Sequence, residues 1–233
     1  MITLGMDLGT TALKLALVGD DDRIIAACSR PLTVQRPAPG HSEQDPESWW
    51  QAACSGLDEL RERAPAALSE VEAIALSGQM HGATLIDAEG LTLRPCILWN
   101  DGRSQAQCAA FEAAWPASRQ VTGNLAMPGF TAPKLLWVRE HEPEVFARIA
   151  KVLLPKAWLA WKLTGEFVEE MSDASGTLWL DVAQRRWSAL ALAATGLSEA
   201  QMPRLVEGSA PGAALNAACT ARWGFKRPPL VAG

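Results

Sequence analysis

The alternation of apolar and small residues at the start of the chain predicts two short strands joined by a tight turn. Ile2, Leu4 and Met6 keep a period of two. Leu13, Leu15 and Leu17 resume it after Asp7-Leu8-Gly9-Thr10-Thr11. Gly9 is the residue expected to take positive φ in that turn. A polar turn at residues 18–23 precedes a third predicted strand over 24–28, and the three should form one edge of a larger sheet. The period then changes. Asp45 is a capping residue, Pro46 suits the first helical position, and Glu47 places acid in the first turn. Trp50, Ala53, Leu57 and Leu60 come next at helical spacing, and Pro65 ends the helix. Further strands are predicted over 71–76, 83–86, 96–99, 151–154 and 177–180. Helices are predicted over 104–115, 133–140, 143–149, 155–163 (stopped by Gly165) and near 188–194. The last of these is Ala-rich and reads as a buried helix, and the C-terminal residues after it read as a tail rich in Pro and Gly. A meander leading into alternating strands and helices implies an α/β layered domain with a mixed sheet.

Composition narrows the functions this frame can serve. The chain has 233 residues, enough for one large domain or two small ones. A net charge of −5 without a basic cluster argues against a nucleic-acid groove or an anionic membrane surface. No apolar stretch approaches the roughly 18 residues a spanning helix needs, and Asp7 interrupts the N-terminal apolar run, unlike a secretory signal. Five scattered cysteines without a CxxC pair read as small core residues in a reducing compartment, so the expected location is cytoplasmic. Three histidines with no His/Cys grouping give no zinc pattern. The chain has ten tryptophans and no tyrosine. Some must fill the core, and others can offer flat apolar faces against which sugar C–H groups pack.

The first turn gathers unusual chemistry. It places a strand-end carboxylate (Asp7), backbone N–H groups near Gly9, two hydroxyls (Thr10, Thr11) and a cation (Lys14) close together. Converging N–H groups form an anion-binding concavity, and the hydroxyls and ammonium add donors. A carboxylate there would repel phosphate unless a metal lay between, so the set suits Mg²⁺-nucleotide better than a bare anion. Taken alone, the same turn equally fits an ordinary hairpin whose threonines favour strand. Met80 alone reads as core, and a lone histidine such as His81 as structural. Asn100 and Asp101 fit turn formation as readily as polyol binding.

Longer motifs break that tie. Asp7 to Thr11 resembles the phosphate hairpin of the actin-like, ribonuclease H-like ATPase superfamily. Gly78-Gln79-Met80-His81-Gly82, Leu98-Trp99-Asn100-Asp101-Gly102-Arg103 and residues 129–141 resemble the FGGY carbohydrate kinases. In the last stretch Gly129, Thr131, Lys134, Trp137, Glu140 and His141 fall at the spacing of the family's first signature. Residues 171–177 extend the likeness, which covers essentially the whole chain. The Gln79–Gly82 and Trp99–Asp101 motifs are most similar to the branch acting on D-xylulose.

The resemblance implies an actin-like fold and ATP-dependent phosphorylation of a small sugar, with ATP and Mg²⁺ as cofactors. It implies Asp7 as the catalytic and metal-side carboxylate, and Gly9, Thr10, Thr11 and Lys14 around the β- and γ-phosphates. It implies Met80, His81, Trp99, Asn100 and Asp101 at the sugar. Glycerol-specific members carry a substrate-touching tyrosine where this chain has Gly129, so the resemblance favours a larger sugar. It also implies that residues 1–233 are an N-terminal sugar- and phosphate-binding domain. A C-terminal ATP-binding domain, holding the general-base Asp beyond Gly233, would be its principal partner. Expected partners are thus the sugar and that domain, with room for a homodimer and no role for nucleic acid or membrane. The alternatives are a kinase for ribulose, gluconate or glycerol, or a non-catalytic actin- or chaperone-like ATP-binding module.

Overall fold

The computed structural model describes residues 1–232. The predicted meander forms as β1 (Ile2–Leu8), β2 (Ala12–Val18) and β3 (Ile24–Pro31). Leu4, Met6 and Leu8 alternate with Leu13, Leu15 and Leu17 on one buried face, as the period of two requires. A two-residue strand, β4 (Glu43–Gln44), leads into helix α1 (Pro46–Arg63). Asp45 caps α1 by accepting the Glu47 N–H, with Pro46 in the first turn. The tryptophan that α1 buries completely is Trp49, whereas Trp50 lies at the margin of the core. The short helix α2 (Pro65–Ser69) precedes β5 (Val71–Gly78).

Next come β6 (Thr84–Ile86), β7 (Cys96–Ile97), α3 (Gln105–Ala114), α4 (Ser118–Thr122), α5 (Thr131–His141), α6 (Pro143–Ala147), β8 (Lys151–Leu153), α7 (Pro155–Thr164) and β9 (Val168–Glu170). The chain finishes with α8 (Met171–Ser175), β10 (Leu180–Asp181), β11 (Arg186–Trp187), α9 (Ala189–Thr195), β12 (Arg204–Val206), β13 (Ala213–Ala214), α10 (Ala217–Trp223) and β14 (Leu230–Ala232). The main sheet has six strands in the order β13-β14-β5-β1-β2-β3. The meander is antiparallel and forms one edge, as expected; β1, β5 and β14 run parallel at the centre. Its buried face packs on α1, α7 and α10, where Trp49 and Trp158 meet edge to face with centroids 5.7 Å apart. A second core, built around Leu85, Ile97, Phe111, Leu135, Trp179 and Leu192, fills the long insertion between β5 and β13.

Several expectations need correction. Gly9 is not at positive φ. Its N–H bonds the Ala12 carbonyl at 3.0 Å, and a Cβ there would come within 3.0 Å of that same oxygen, so the turn needs the absence of a side chain. The strand predicted over 96–99 stops at Ile97, because Leu98 turns to bond the Ser42 carbonyl. Residues 176–178 are turn, with Leu178 at φ +66°, and strand begins only at Leu180. The Ala-rich helix α9 is only half-buried. The expected tail contains α10 and β14, the latter a three-residue strand inside the sheet rather than at its margin. All five cysteines are free thiols, four of them buried. Among the described residues no helix is long and apolar enough to cross a membrane.

Candidate active site

The parallel register of β1 and β5 pairs Asp7 with Ser77 and Leu8 with Gly78, so both strands end at one edge of the sheet. The carboxyl ends of parallel strands are where α/β folds place ligands. The Gly9–Thr11 turn leaves β1 there. The Gln79–Gly82 loop leaves β5 beside it, tied by the Gln79 N–H to the Leu8 carbonyl at 2.8 Å.

Asp7 and Lys14 are direct cross-strand partners, and both are exposed on the sheet face opposite the helices. With Gly5, Ala16, Ser29 and Ser77 they line a recess of about 690 Å³. A second recess, of about 410 Å³, adjoins it across Leu76 and Ser77 and is lined by Met80, Lys156, Glu170, Ser172 and Asp173. Among the described residues no group of three or more potential ligands could cage a metal. Mg²⁺ keeps most of its waters and needs only one or two carboxylates beside substrate phosphates. The exposed Asp7 carboxylate fits that requirement.

Thr10 lies between the two motifs. Its hydroxyl donates to Gln79 Oε1 (3.2 Å) and accepts from the Trp99 indole N–H (3.0 Å). Its carbonyl accepts from Gln44 Nε2 (2.7 Å). Gln44 Oε1 in turn accepts from Gln79 Nε2 (2.8 Å) and Trp49 Nε1 (3.1 Å). Gln44 is fully buried and nothing in the sequence singles it out, since Thr10 and Gln79 are distant in the chain and β4 is only two residues long. Trp99 is the one exposed tryptophan among the described residues. Gly129 packs under it, where a Cβ would stand 2.8 Å from the Trp99 carbonyl oxygen. The missing ring at position 129 therefore reflects this close packing.

Met80 is 46% exposed and His81 half-buried at φ +65°. A left-handed non-glycine backbone costs about 1–3 kcal/mol, so neighbouring contacts must impose it. Burial, aided by the charge of Lys134, lowers the imidazole to about 4, so the ring is neutral at physiological pH. Asn100 is exposed. Asp101 is not open to a ligand. Arg103 holds it through Nε (2.9 Å) and Nη2 (2.7 Å), and the Ser42 N–H donates to it at 2.6 Å. Arg103 continues to Glu43 at 2.7 Å, and Glu43 to Arg94. Asp101 thus braces the loop that carries Trp99 and Asn100.

The 171–177 motif supplies a charged wall to the second recess. Burial raises Asp173 to about 6 against the pull of Lys156. Burial also acts to raise Glu170, but bonds from the Ser172 hydroxyl and Lys156 outweigh it and hold the group at about 2. Behind them the fully buried Glu169 is pushed well above the usual carboxylate range, by burial first and then by the charge of Asp173.

The sequence profile described as "FGGY family of carbohydrate kinases, N-terminal domain" matches residues 2–233. The chain belongs to the FGGY family of carbohydrate kinases. Xylulose kinase of Escherichia coli K12 is 53% identical over 230 residues, covering 99% of this chain and 47% of that protein. Xylulose kinase of Bacillus subtilis is 40% identical over 205 residues, covering 88% and 41%. Among solved structures, a xyloylose kinase from Brucella ovis matches with a TM-score of 0.98 at 51% identity, over all of this chain and 48% of the other. The xylulose kinase of Rhodospirillum rubrum matches at 0.95 and 31%, over all of this chain and 48% of the other. The chain therefore spans about half the length of the relatives it matches. Its architecture is the actin-like ATPase fold of the FGGY kinases. That membership accounts for the conjunction of the Asp7–Thr11 turn, the Gln79–Gly82 loop and the 129–141 motif.

Proposed function

We propose that this chain is the N-terminal, sugar- and phosphate-binding half of a xylulokinase, transferring phosphate from ATP to O5 of D-xylulose. The observation that carries the reading is the hydrogen-bonded bridge Trp99–Thr10–Gln79–Gln44, which runs from the surface into the core and ties the phosphate turn to the two loops whose motifs are sugar-side. The identity to xylulose kinases supports the choice of sugar. Phosphoryl transfer needs positioning and charge neutralisation more than covalent chemistry. In this reading the Thr10 and Thr11 N–H groups, the Thr11 hydroxyl and Lys14 hold the β- and γ-phosphates, while Gly9 and the Thr10 hydroxyl, engaged by Ala12, Gln79 and Trp99, shape the turn that presents them. Met80, His81, Trp99 and Asn100 orient the ketose, and Asp101 keeps their loop in place. The neutral His81 imidazole can donate or accept a hydrogen bond without repelling the incoming charge. Mg²⁺, held from Asp7 through water, would neutralise charge growing on the transferred phosphate. A carboxylate beyond Gly233 takes the proton from the sugar hydroxyl.

The test is an acceptor panel on the complete polypeptide, following ADP formation with D-xylulose, ribulose, gluconate and glycerol. Highest kcat/KM on D-xylulose is expected. Preference for another acceptor would reassign the sugar, and no acceptor-dependent turnover would favour a non-catalytic ATP-binding module. Residues 1–233 alone are expected to bind ketose weakly and to turn over little or not at all.

A further inference from the structure

The functional reading leaves one buried cation without a role. Lys134, on α5, is completely inaccessible, yet its ammonium is not consumed by an ion pair. It donates to two backbone carbonyls, His81 O at 2.8 Å and Gly129 O at 2.7 Å. Thr131, one turn earlier on the same helix, donates its hydroxyl to the same His81 oxygen at 3.2 Å. Fully burying an ammonium to satisfy main-chain carbonyls is unfavourable unless that backbone geometry is itself required. The geometry is unusual, because His81 is one of four non-glycine residues at positive φ. The ring is confined as well. It lies against Phe130 with centroids 4.5 Å apart, and Gly176 is so close that a Cβ there would stand 2.4 Å from Cδ2 and 2.5 Å from Nε2. Neither ring nitrogen has a hydrogen-bond partner among the described residues, so a ligand can supply one.

We propose that Lys134 is a positioning residue for the sugar site: with Thr131 it clamps the His81 carbonyl, and with Phe130 and Gly176 it fixes the imidazole that meets the ketose. The Gly129 carbonyl on the same ammonium ties the loop beneath Trp99 to this corner, so one buried side chain sets two sugar-side elements. The inference rests on the reading of His81 as a sugar contact. The protonation of both groups is a product of the arrangement. Lys134 faces Cys96, Asp101 and Arg103, and burial lowers it to about 7; its own charge helps keep His81 unprotonated.

The experiment is imidazole NMR of the complete polypeptide, with the His81 signal assigned by its loss in His81→Asn. Melting curves and separate KM values for D-xylulose and ATP accompany it. Lys134→Met keeps the volume and removes the donors. Gly176→Ala leaves Lys134 intact and displaces the ring directly, so it serves if Lys134→Met does not fold. In both variants the His81 signal is expected to move. Its pKa rises towards an ordinary histidine value in Lys134→Met, and KM for ketose rises about tenfold with KM for ATP little changed, the effect of one misplaced hydrogen bond. A lysine that merely stabilised the core would lower the melting temperature and, through the loss of its charge alone, raise the His81 pKa, but would leave the ratio of the two KM values untouched; an unchanged ratio overturns the proposal. If His81 in the unsubstituted protein ignores D-xylulose, the sugar-site reading fails whatever the variants do. If His81 responds to D-xylulose but its signal ignores both substitutions, only the positioning role fails.

Discussion

The phosphate turn and the His81 corner lie at the ends of neighbouring strands and are built in opposite ways. On the turn, the chemistry-bearing groups are displayed: Asp7, Thr11 and Lys14 are exposed on or beside an open sheet face. At the corner, the His81 carbonyl accepts from Lys134 and Thr131, and its ring is confined by Phe130 and Gly176. Displayed groups suit a ligand that arrives with its own metal, waters and flexible phosphates. A pinned group suits a small acceptor whose hydroxyl must be aimed to within a few tenths of an ångström. Thr10 belongs to both regions, its hydroxyl reaching Gln79 and Trp99 from within the turn.

The contrast predicts a graded set of losses. Asp7→Asn in the complete enzyme should reduce kcat by about 10²–10³-fold with little change in melting temperature, because the group is exposed and its work is electrostatic. A small kcat change measured by steady-state kinetics would remove Asp7 from the phosphate chemistry. Gln44→Leu strands the Gln79 amide, the Trp49 indole and the Thr10 carbonyl. Each unpaired buried group costs about 1–3 kcal/mol, so a fall in melting temperature should accompany about a tenfold drop in kcat/KM. Calorimetry with kinetics checks both, and a stability loss without a kinetic one would separate the bridge from catalysis.

A pH series sharpens the comparison from the other side. His81 is depressed to about 4 in the folded chain, against an ordinary value of 6.5. Between those values the unfolded chain binds more protons, so this group's contribution to stability is complete above pH 6.5 and is lost as pH falls towards 4. Asp173, raised to about 6, acts in the reverse sense: its contribution is present below pH 3.8 and is lost as pH rises through 6. Denaturant titrations from about pH 4 to 7 should therefore show a shallower acid loss in His81→Asn than in the parent chain, and a steeper one in Asp173→Asn. The smallest effect is expected for Trp99→Phe, which keeps an apolar face but loses the bond to Thr10. KM for ketose should rise about two- to threefold, in line with one partly exposed hydrogen bond.

What could be read from the residues alone was local. The β1–β2 hairpin and the Asp45-Pro46 start of α1 arise from alternation and capping, which act between near neighbours. Motifs carried the rest, bringing Asp7, Met80, His81 and Trp99 into view before any contact was known. Gln44 and the clamp on His81 were illegible because they depend on partners up to about fifty residues away, and a buried glutamine or lysine has no pattern of its own. Asp101 looked like a polyol ligand because its engagement with Arg103 and Ser42 is tertiary. Strand β14 escaped because three residues after paired prolines offer too little period to detect.

That last strand governs how the protein must be made. Val231 sits beside Ile74, so a central pairing of the sheet closes only after the intervening chain has been synthesised. Until then β5 is a bare edge, with Ala73 and Ala75 offering unpaired N–H and carbonyl groups to any passing strand. Such non-local closure slows assembly and lengthens the time the nascent chain is open to aggregation. A ribosome-bound intermediate arrested before Leu230 should accordingly be the species that holdase chaperones capture.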